Sequence, residues 1–350
     1  MKRAVSLILV AAALVTFAGQ AFAISEAAVL FLLISPGARA SGMGEAFAAV
    51  ADEATAVYWN PAGLAFQRGR EITLMHANWL PQLTNDMFFD FAAYRQYVEG
   101  LGTFGVNVTY LNLGKQYITG EDSPEILGEF TSFDFAIALT YGTLVGRNTA
   151  VGVGLRYIRS NLSSVGAGAE RGEGKANAFA VDLAFLYKAP WLDGFRIGAN
   201  LSNMGPKITY IDAAQADPLP TNLKFGIAYD LVKSQYNKIT LAADANKLLV
   251  RRYKDGTSDP FYKAIFTAWT DEPIGTEFRN MIYSAGLEYW YANLFALRAG
   301  YYYDEEGKVK YATFGAGIQY HLYRFDFAYV SAKEGHPLSD TMRFSLTIGF

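Results

Sequence analysis

This 350-residue chain has only three histidines and no cysteine, so few of its side chains could act as a general base, a nucleophile or a metal ligand of the imidazole or thiolate type. His76, His321 and His336 are isolated from one another, and none has a serine or aspartate at a spacing typical of a catalytic group. The lack of cysteine excludes disulfides, thiolate zinc sites and cysteine nucleophiles. We therefore predict no enzyme activity, no metal site and no cofactor.

One glycine pattern matches a nucleotide-binding fingerprint in its letters alone. Gly100, Gly102 and Gly105 have the G-x-G-x-x-G spacing, which binds dinucleotides where it follows a strand and opens a helix. Here the glycines lie in a predicted hairpin turn and lead into alternating apolar and polar residues. We interpret them as a structural turn.

The composition narrows the fold class. Charged residues make up 18% of the chain, below the roughly 25% of an ordinary soluble domain, and aromatic residues make up 15%. The formal net charge is −3, so the basic excess typical of nucleic-acid binding is missing. The mean hydropathy of +0.10 is too low for a polytopic helical membrane protein, whose spans need about 20 apolar residues each. A β-rich chain with an apolar surface fits this composition.

The N-terminus has the features of a secretory signal peptide. Lys2 and Arg3 precede an apolar stretch, and Ala21 and Ala23 occupy the small-residue positions before a cleavage site. We expect residues 1–23 to be a signal peptide that is cleaved on export. The destination that the rest of the sequence indicates is the bacterial outer membrane.

From residue 71 to residue 350, apolar and polar residues alternate in segments of about ten, with turn residues between them. For example, Phe133, Phe135 and Ile137 alternate with Asp134 and Ala136. A period of two places successive side chains on opposite faces of a strand. We predict about fourteen strands, near residues 71–80, 86–97, 102–113, 130–143, 149–160, 176–188, 194–203, 221–232, 237–249, 280–291, 294–303, 309–320, 323–331 and 340–350.

The two faces of these segments differ in a way that favours a membrane barrel over a soluble sandwich. One face is large and often aromatic at its ends, as two membrane interfaces require. The other face carries charges that suit a wet or plugged lumen: Asp182, Lys224, Asp244, Glu288, Arg298, Arg324 and Asp326. Because only closure satisfies every strand edge in lipid, we predict a transmembrane antiparallel β-barrel surrounded by outer-membrane lipid. Phe350 ends an alternating strand and resembles the signal that barrel-assembly machinery recognises.

The connections set the orientation of this barrel. Short connections follow even-numbered strands, whereas the long ones, near 114–129, 161–175, 204–220 and 250–279, follow odd-numbered strands. Outer-membrane barrels have short periplasmic turns and longer external loops. We expect the long loops to lie outside the cell.

Residues 24–70 do not alternate, and they are predicted to form a helical and irregular plug in the lumen. Residues 52–57 predict one short helix, and Pro61 and Gly63 mark a turn. A fourteen-stranded barrel is wide enough to hold a plug. Because buried charges need partners, charged plug residues are expected to pair with the wall. The candidates are Arg39, Glu45, Asp52 and Glu53 in the plug and Asp134, Arg156, Asp182, Lys224 and Glu288 in the wall.

Two stretches of the plug resemble a known family. Ile34 to Gly44 reads ISPGARASGMG, and Tyr58 to Leu64 reads YWNPAGL. Together they are similar to the N-terminal signature of the PorV/PorQ family, fourteen-stranded barrels related to the FadL fatty-acid transporters. The Gly63-Leu64 ending is also similar to FadL-like members.

The resemblance implies one of two functions. A PorV-like role would be that of a type IX secretion component that receives or shuttles exported cargo proteins at the cell surface. A FadL-like role would be uptake of fatty acids or other hydrophobic small molecules, with a plug that moves and a kinked strand. The glycine pairs at 152 and 154 and at 315 and 317 are candidates for that kink. The signature favours the first role.

Two groups of residues are candidate functional sites. The plug turn and its nearby charges are candidates for a gate: Trp59, Asn60, Pro61, Arg39 and Glu45. Aromatic residues of one external loop form a patch of the kind that binds a partner or an apolar ligand. They are Phe261, Tyr262, Phe266, Trp269 and Phe278.

Overall fold

The computed structural model of the chain describes residues 27–119, 125–163, 173–212 and 215–350. The predicted signal peptide lies outside the described residues. The described chain consists of a closed barrel and a preceding segment, residues 27–69, which lies in its lumen and is called the plug below.

Fourteen antiparallel strands close into one barrel, which confirms the predicted fold. Each strand pairs with the next along the chain, and β1 pairs with β14 from Glu71↔Gly349 to Ala77↔Arg343. The strands are β1 (Arg70–Asn78), β2 (Phe88–Val98), β3 (Gly102–Thr119), β4 (Ile126–Leu144), β5 (Thr149–Ser163), β6 (Gly174–Lys188), β7 (Phe195–Met204), β8 (Asn222–Lys233), β9 (Asn237–Leu248), β10 (Ile282–Tyr291), β11 (Phe295–Asp304), β12 (Val309–Tyr320), β13 (Tyr323–Ala332) and β14 (Met342–Gly349).

The β3–β4 hairpin is longer than predicted. Residues 114–129 were expected to form a loop, but β3 continues to Thr119 and β4 begins at Ile126. Pairing resumes at Lys115↔Thr131 after an irregularity that follows Asn112. The residues of this extension are mostly polar and do not alternate with apolar ones. The two strands nevertheless stay paired, because backbone hydrogen bonds do not require an apolar face.

The alternation separates a membrane face from a lumen face. Large side chains such as Phe179 and Leu183 lie exposed on the outside of β6, whereas Asp182 between them is buried inside. The same holds for Phe325 and Asp326 in β13. No helix among the described residues is long and apolar enough to span a membrane.

The plug consists of short helices joined by turns. These are the 3-10 helices η1 (Leu30–Leu33) and η2 (Pro61–Phe66) and the α-helices α1 (Ala38–Gly42) and α2 (Ala56–Trp59). The helix expected over 52–57 therefore begins later, at Ala56, and Asp52 does not cap it because its carboxylate binds Arg39. Two further helices, α3 (Phe261–Thr267) and α4 (Ile274–Arg279), lie in the long connection between β9 and β10.

Candidate functional site

A closed ring of six charged side chains ties the plug to one side of the barrel wall. The plug supplies two members, and strands β10, β11 and β13 supply the other four. In order around the ring, they are Arg39, Glu288, Arg298, Asp326, Arg324 and Glu53.

The ring gives each buried charge an opposite charge on both sides. Nitrogen-to-oxygen distances are 2.6 to 3.2 Å around the ring, and Arg324 pairs with Glu53 to close it. The Glu288 and Arg298 side chains are completely buried. A buried ion is stable only when it is paired and hydrogen-bonded, so removing one member leaves its neighbours unsatisfied.

Of the two plug residues in this ring, Arg39 also makes contacts outside it. Its guanidinium donates twice to Glu288, also contacts Asp52 at 2.6 Å, and lies 5.2 Å from the centre of the Phe47 ring. Burial opposes ionisation of Asp52, but the charge of Arg39 outweighs it and lowers the pKa of Asp52 to about 2. Both groups therefore stay ionised at neutral pH.

Of the candidate ion pairs between plug and wall, the structure contains one. Arg39 does pair with Glu288, but Glu53 pairs with Arg324. Arg156 and Asp182 satisfy each other within the wall at 2.8 Å. Asp134 lies opposite Ser160 on the wall, and Lys224 lies 4.2 Å from the centre of the Trp59 ring.

Glu45 is held by a second set of contacts on the plug. It accepts hydrogen bonds from Ser35 at 2.6 Å and from Tyr311 of β12 at 3.0 Å. Arg343 of β14 lies 3.6 Å from it and donates to the Ser35 carbonyl oxygen at 2.5 Å and to the Ser41 hydroxyl oxygen at 2.6 Å. These bonds link the start of the plug to the end of the barrel.

The Asn60 side chain joins three backbone segments. Its amide nitrogen donates to the carbonyl oxygens of Ala48 at 2.8 Å and of Phe185 in β6 at 3.0 Å. Its oxygen accepts from the Ala62 N–H at 3.1 Å and so caps η2, with Pro61 in the first helical position. The buried Trp59 donates from its indole N–H to the Pro36 carbonyl oxygen at 3.0 Å. The predicted gate turn is therefore bonded to both plug and wall.

Wall glycines allow the plug backbone to approach. A Cβ on Gly300 of β11 would lie 2.0 Å from the Gly44 nitrogen, and one on Gly152 of β5 would lie 2.3 Å from the Ala62 nitrogen. The same is true of Gly198, where a Cβ would lie 2.2 Å from the Ala48 oxygen. The strands pair without a register shift at Gly152, Gly154, Gly315 and Gly317, so the ladder has no gap at the positions that are candidates for a kink. Gly152 is instead a contact point for the plug.

A cavity of about 670 Å³ lies between the plug and the external loops. Its floor includes Leu32 and Tyr58, and its upper wall includes Asp304 and Glu306. Lys224 projects into it from the side. Two smaller cavities, of about 270 and 150 Å³, lie at the periplasmic end, and neither shares a lining residue with the external one.

The external aromatic patch is smaller than expected from the sequence. Phe266, Tyr262 and Phe278 are 74%, 64% and 53% exposed, but Phe261 and Trp269 are partly buried. Trp269 donates to the Ile265 carbonyl oxygen at 3.1 Å and lies against Lys247. Ile274, at 69% exposed, begins the next helix, α4, and was not predicted, because an isolated isoleucine gives no aromatic signal. We call Tyr262, Phe266, Ile274 and Phe278 the external patch.

The last residue completes the barrel at its periplasmic end. The Phe350 backbone exchanges two hydrogen bonds of 2.9 Å with Arg70, where β1 begins. Its side chain is 54% exposed.

Comparison with known proteins supports both the family and the fold. A family model described as the type IX secretion system protein PorV matches residues 18–255, in agreement with the plug signature. No curated protein matches the chain in sequence. Among solved structures, the toluene transporter TbuX of Ralstonia pickettii has a TM-score of 0.52 at 15% identity, covering 90% of this chain and 98% of that chain. The toluene transporter TodX of P. putida has a TM-score of 0.51 at 14% identity, covering 90% and 99%. At these identities the likeness shows the fold.

Proposed function

We propose that this chain, which belongs to the PorV family of type IX secretion system proteins, receives exported cargo proteins at the external face of the outer membrane. In this proposal residues 1–23 direct export and are removed, residues 24–70 form the plug, and residues 71–350 form the barrel. Phe350 serves as the assembly signal for the machinery that inserts it.

The observation that carries the proposal is the attachment of the plug. The ring through Arg39 and Glu288, the Glu45 contacts and the Asn60 contacts tie it to strands on several sides of the lumen. Opening a path would break buried ion pairs and leave charged side chains without their partners. We infer that the gate candidates hold the plug in place while the barrel works.

The external patch supplies a surface for a protein partner. Tyr262 and Phe266 are one helical turn apart on α3, so their rings lie on one side of it. Exposed aromatic clusters next to polar loops are typical of protein interaction sites. The external cavity is lined by Leu248 and Asn280, at the two ends of the connection that carries α3, and it offers room for a side chain or loop of the cargo.

A second candidate function is passage of hydrophobic small molecules. It is favoured by the leucines that line the external cavity, Leu30, Leu32 and Leu33, and by a fold shared with two toluene transporters. This function requires the plug to move or a strand to part, because the described cavities on its two sides are separate.

Substitution of the external patch tests the first function. In a strain lacking the native gene, Tyr262→Ser with Phe266→Ser is expected to reduce the cargo retained at the cell surface several-fold. Trp191→Ser is the matched control, since Trp191 is 69% exposed on a periplasmic turn. Equal cargo retention by both variants would contradict docking at the external patch.

A further inference from the structure

One basic side chain in the external cavity lacks a bonded partner. Among the described residues, the lysines and arginines that line this cavity are Arg156 and Lys224. Arg156 pairs with Asp182 at 2.8 Å and also bonds Asn203. Lys224 forms no ion pair and no hydrogen bond within the described part of the chain, and its ammonium nitrogen lies 4.2 Å from the centre of the Trp59 ring. Lys224 is therefore the cation that is free to bind an anionic group.

The carboxylates that act on Lys224 from a distance are bonded to other donors. Asp244 accepts hydrogen bonds from two backbone N–H groups of the plug, at 2.8 and 2.9 Å. Glu45 accepts from Ser35 at 2.6 Å and from Tyr311 at 3.0 Å. A cation held away from bulk water is costly unless an anion pairs with it directly. An anionic group that enters the cavity is therefore stabilised most at Lys224.

The strand pairing places uncommitted amides beside Lys224. Asn246 of β9 is its direct partner, Asn222 lies two residues before it on β8, and Asn280 lies just before β10. All three line the cavity, and none of their side chains forms a hydrogen bond with the described residues. An amide both donates and accepts hydrogen bonds. A fatty-acid carboxylate offers acceptors alone, whereas a peptide backbone offers donors and acceptors, so this wall favours a peptide.

The plug closes the cavity and gives it an apolar floor. Leu30, Leu32 and Leu33 of η1 line it, and Leu248 and Ile282 add apolar surface from the wall. Its volume of about 670 Å³ is within the roughly 300–1,000 Å³ of ligand pockets. A chain that enters from outside meets the plug, so it must either turn back or end there. The end of a chain fills such a cavity without turning back.

Two carboxylates at the external rim limit the charge of the ligand. Asp304 and Glu306 lie on the way from the external face to Lys224. Because like charges repel, a ligand with several negative charges is disfavoured at this rim. A single carboxylate next to apolar side chains is the group that suits both the rim and the floor.

We propose that the external cavity binds the carboxyl terminus of a polypeptide, with its terminal carboxylate on Lys224 and its last apolar side chains against the leucines of η1. The amides of Asn222 and Asn246 bond the peptide backbone of the same segment. This binding mode rests on the proposed function, since the cargo is the polypeptide that the external face receives. No residue of the external patch lines the cavity, so the two contacts are separate.

Binding of peptides that differ only in their carboxyl terminus tests the proposal. The probes are Gly-Ser-Gly-Ser-Gly-Leu-Leu and Gly-Ser-Gly-Ser-Gly-Val-Phe, labelled with rhodamine at the N-terminus, each as the free acid and as the terminal amide. Fluorescence anisotropy measures their binding to the purified protein in phosphatidylcholine nanodiscs, which avoids detergent in the cavity. We expect the free acids to bind about tenfold or more tightly than the amides, as for gain of a charge-assisted hydrogen bond.

Lys224→Met should abolish the preference for the free acid. Methionine removes the charge but still fills the space beside the Trp59 ring, so the heat-dependent gel shift of a folded barrel should remain. Lys233→Met is the matched control, because Lys233 lies at the other end of β8 with a 62% exposed side chain, and it should keep the preference. Tyr262→Ser with Phe266→Ser should keep it too.

Three outcomes would overturn the proposal. The first is equal binding, or no binding, of acids and amides by the unmodified protein, and the second is a preference for the acid that survives Lys224→Met. The third is binding of decanoate without binding of either peptide, which would support the second candidate function. Cargo retention by the external-patch variant is measured separately in cells, so failure here is distinguishable from failure of docking at that patch.

Discussion

Arg39 of the plug and Glu288 of strand β10 share two hydrogen bonds, both 2.7 Å long, across 249 residues of sequence. Glu288 also accepts from Arg298 at 2.6 Å, so one fully buried carboxylate joins the plug to two adjacent strands. The position of the plug therefore depends on buried charges that satisfy one another.

Replacing Glu288 should destabilise the barrel. Glu288→Gln keeps the shape of the side chain but leaves Arg39 and Arg298 without their shared negative charge. We expect the free energy of unfolding to fall by about 3–5 kcal/mol. Urea unfolding in detergent, followed by tryptophan fluorescence, measures this change.

The matched control for that measurement is an exposed pair. Glu129 lies 3.3 Å from Lys115 with both side chains about 60% exposed, so Glu129→Gln should change the free energy by less than about 1 kcal/mol. Equal effects of the two substitutions would mean that the ring does not secure the plug.

The strands could be predicted from the sequence because their signal is local. Phe133, Phe135 and Ile137 alternate with small or polar residues whatever surrounds them, and the fourteenth strand closes the barrel as the count predicts. The ring could not be predicted in the same way. Glu53 pairs with Arg324, which lies 271 residues away, and nothing in the sequence near either residue identifies the other.

The plug contacts of the wall glycines also escaped prediction. Gly152 and Gly315 suggested kinks because glycine weakens a strand, but a missing side chain serves equally to admit another backbone. Which of these two roles applies depends on what lies opposite in the lumen, and that is fixed only after the barrel closes.

A methyl group on the wall should displace the plug. In Gly300→Ala the new Cβ would lie 2.0 Å from the Gly44 nitrogen, a backbone atom that cannot rotate away. We expect a loss of stability of about 1–3 kcal/mol and larger ion conductance in planar bilayers.

Gly349→Ala provides the control for this substitution, since a Cβ there meets nothing within 4 Å. Its conductance and stability should match those of the unmodified protein. If Gly300→Ala behaves like Gly349→Ala, the plug is not packed against β11.

The loop that carries α3 and α4 should respond to pH. Partial burial, together with the hydrogen bond to Glu277 and its charge, raises the pKa of Asp271 to about 6. The stabilisation that Asp271 gives to the folded loop is therefore complete below pH 3.8, its usual pKa, and is lost as the pH rises through about 6. We expect hydrogen exchange in residues 261–279, corrected for its intrinsic rate, to be slower at pH 5 than at pH 7.5.

In Asp271→Asn the loop should keep the same stability from pH 5 to pH 7.5, because the amide stays neutral and can still donate to Glu277. The pKa of Glu277 is lowered: burial opposes ionisation, but hydrogen bonds from Asp271 and Lys247 outweigh it. The stabilisation that ionised Glu277 gives to the loop is lost only as the pH falls below 4.5, the usual pKa of a glutamate. The same rise in exchange from pH 5 to pH 7.5 in the variant would contradict the assignment to Asp271.

The central claim is that the external face binds an exported protein while the plug stays in place. The most direct measurement is the intact mass of the complex, purified from its own outer membrane in mild detergent. We predict a stoichiometric secreted protein bound to the unmodified barrel and to Trp191→Ser, but lost from Tyr262→Ser with Phe266→Ser. A barrel that carries hydrophobic small molecules and no protein would contradict the claim and support the second candidate function.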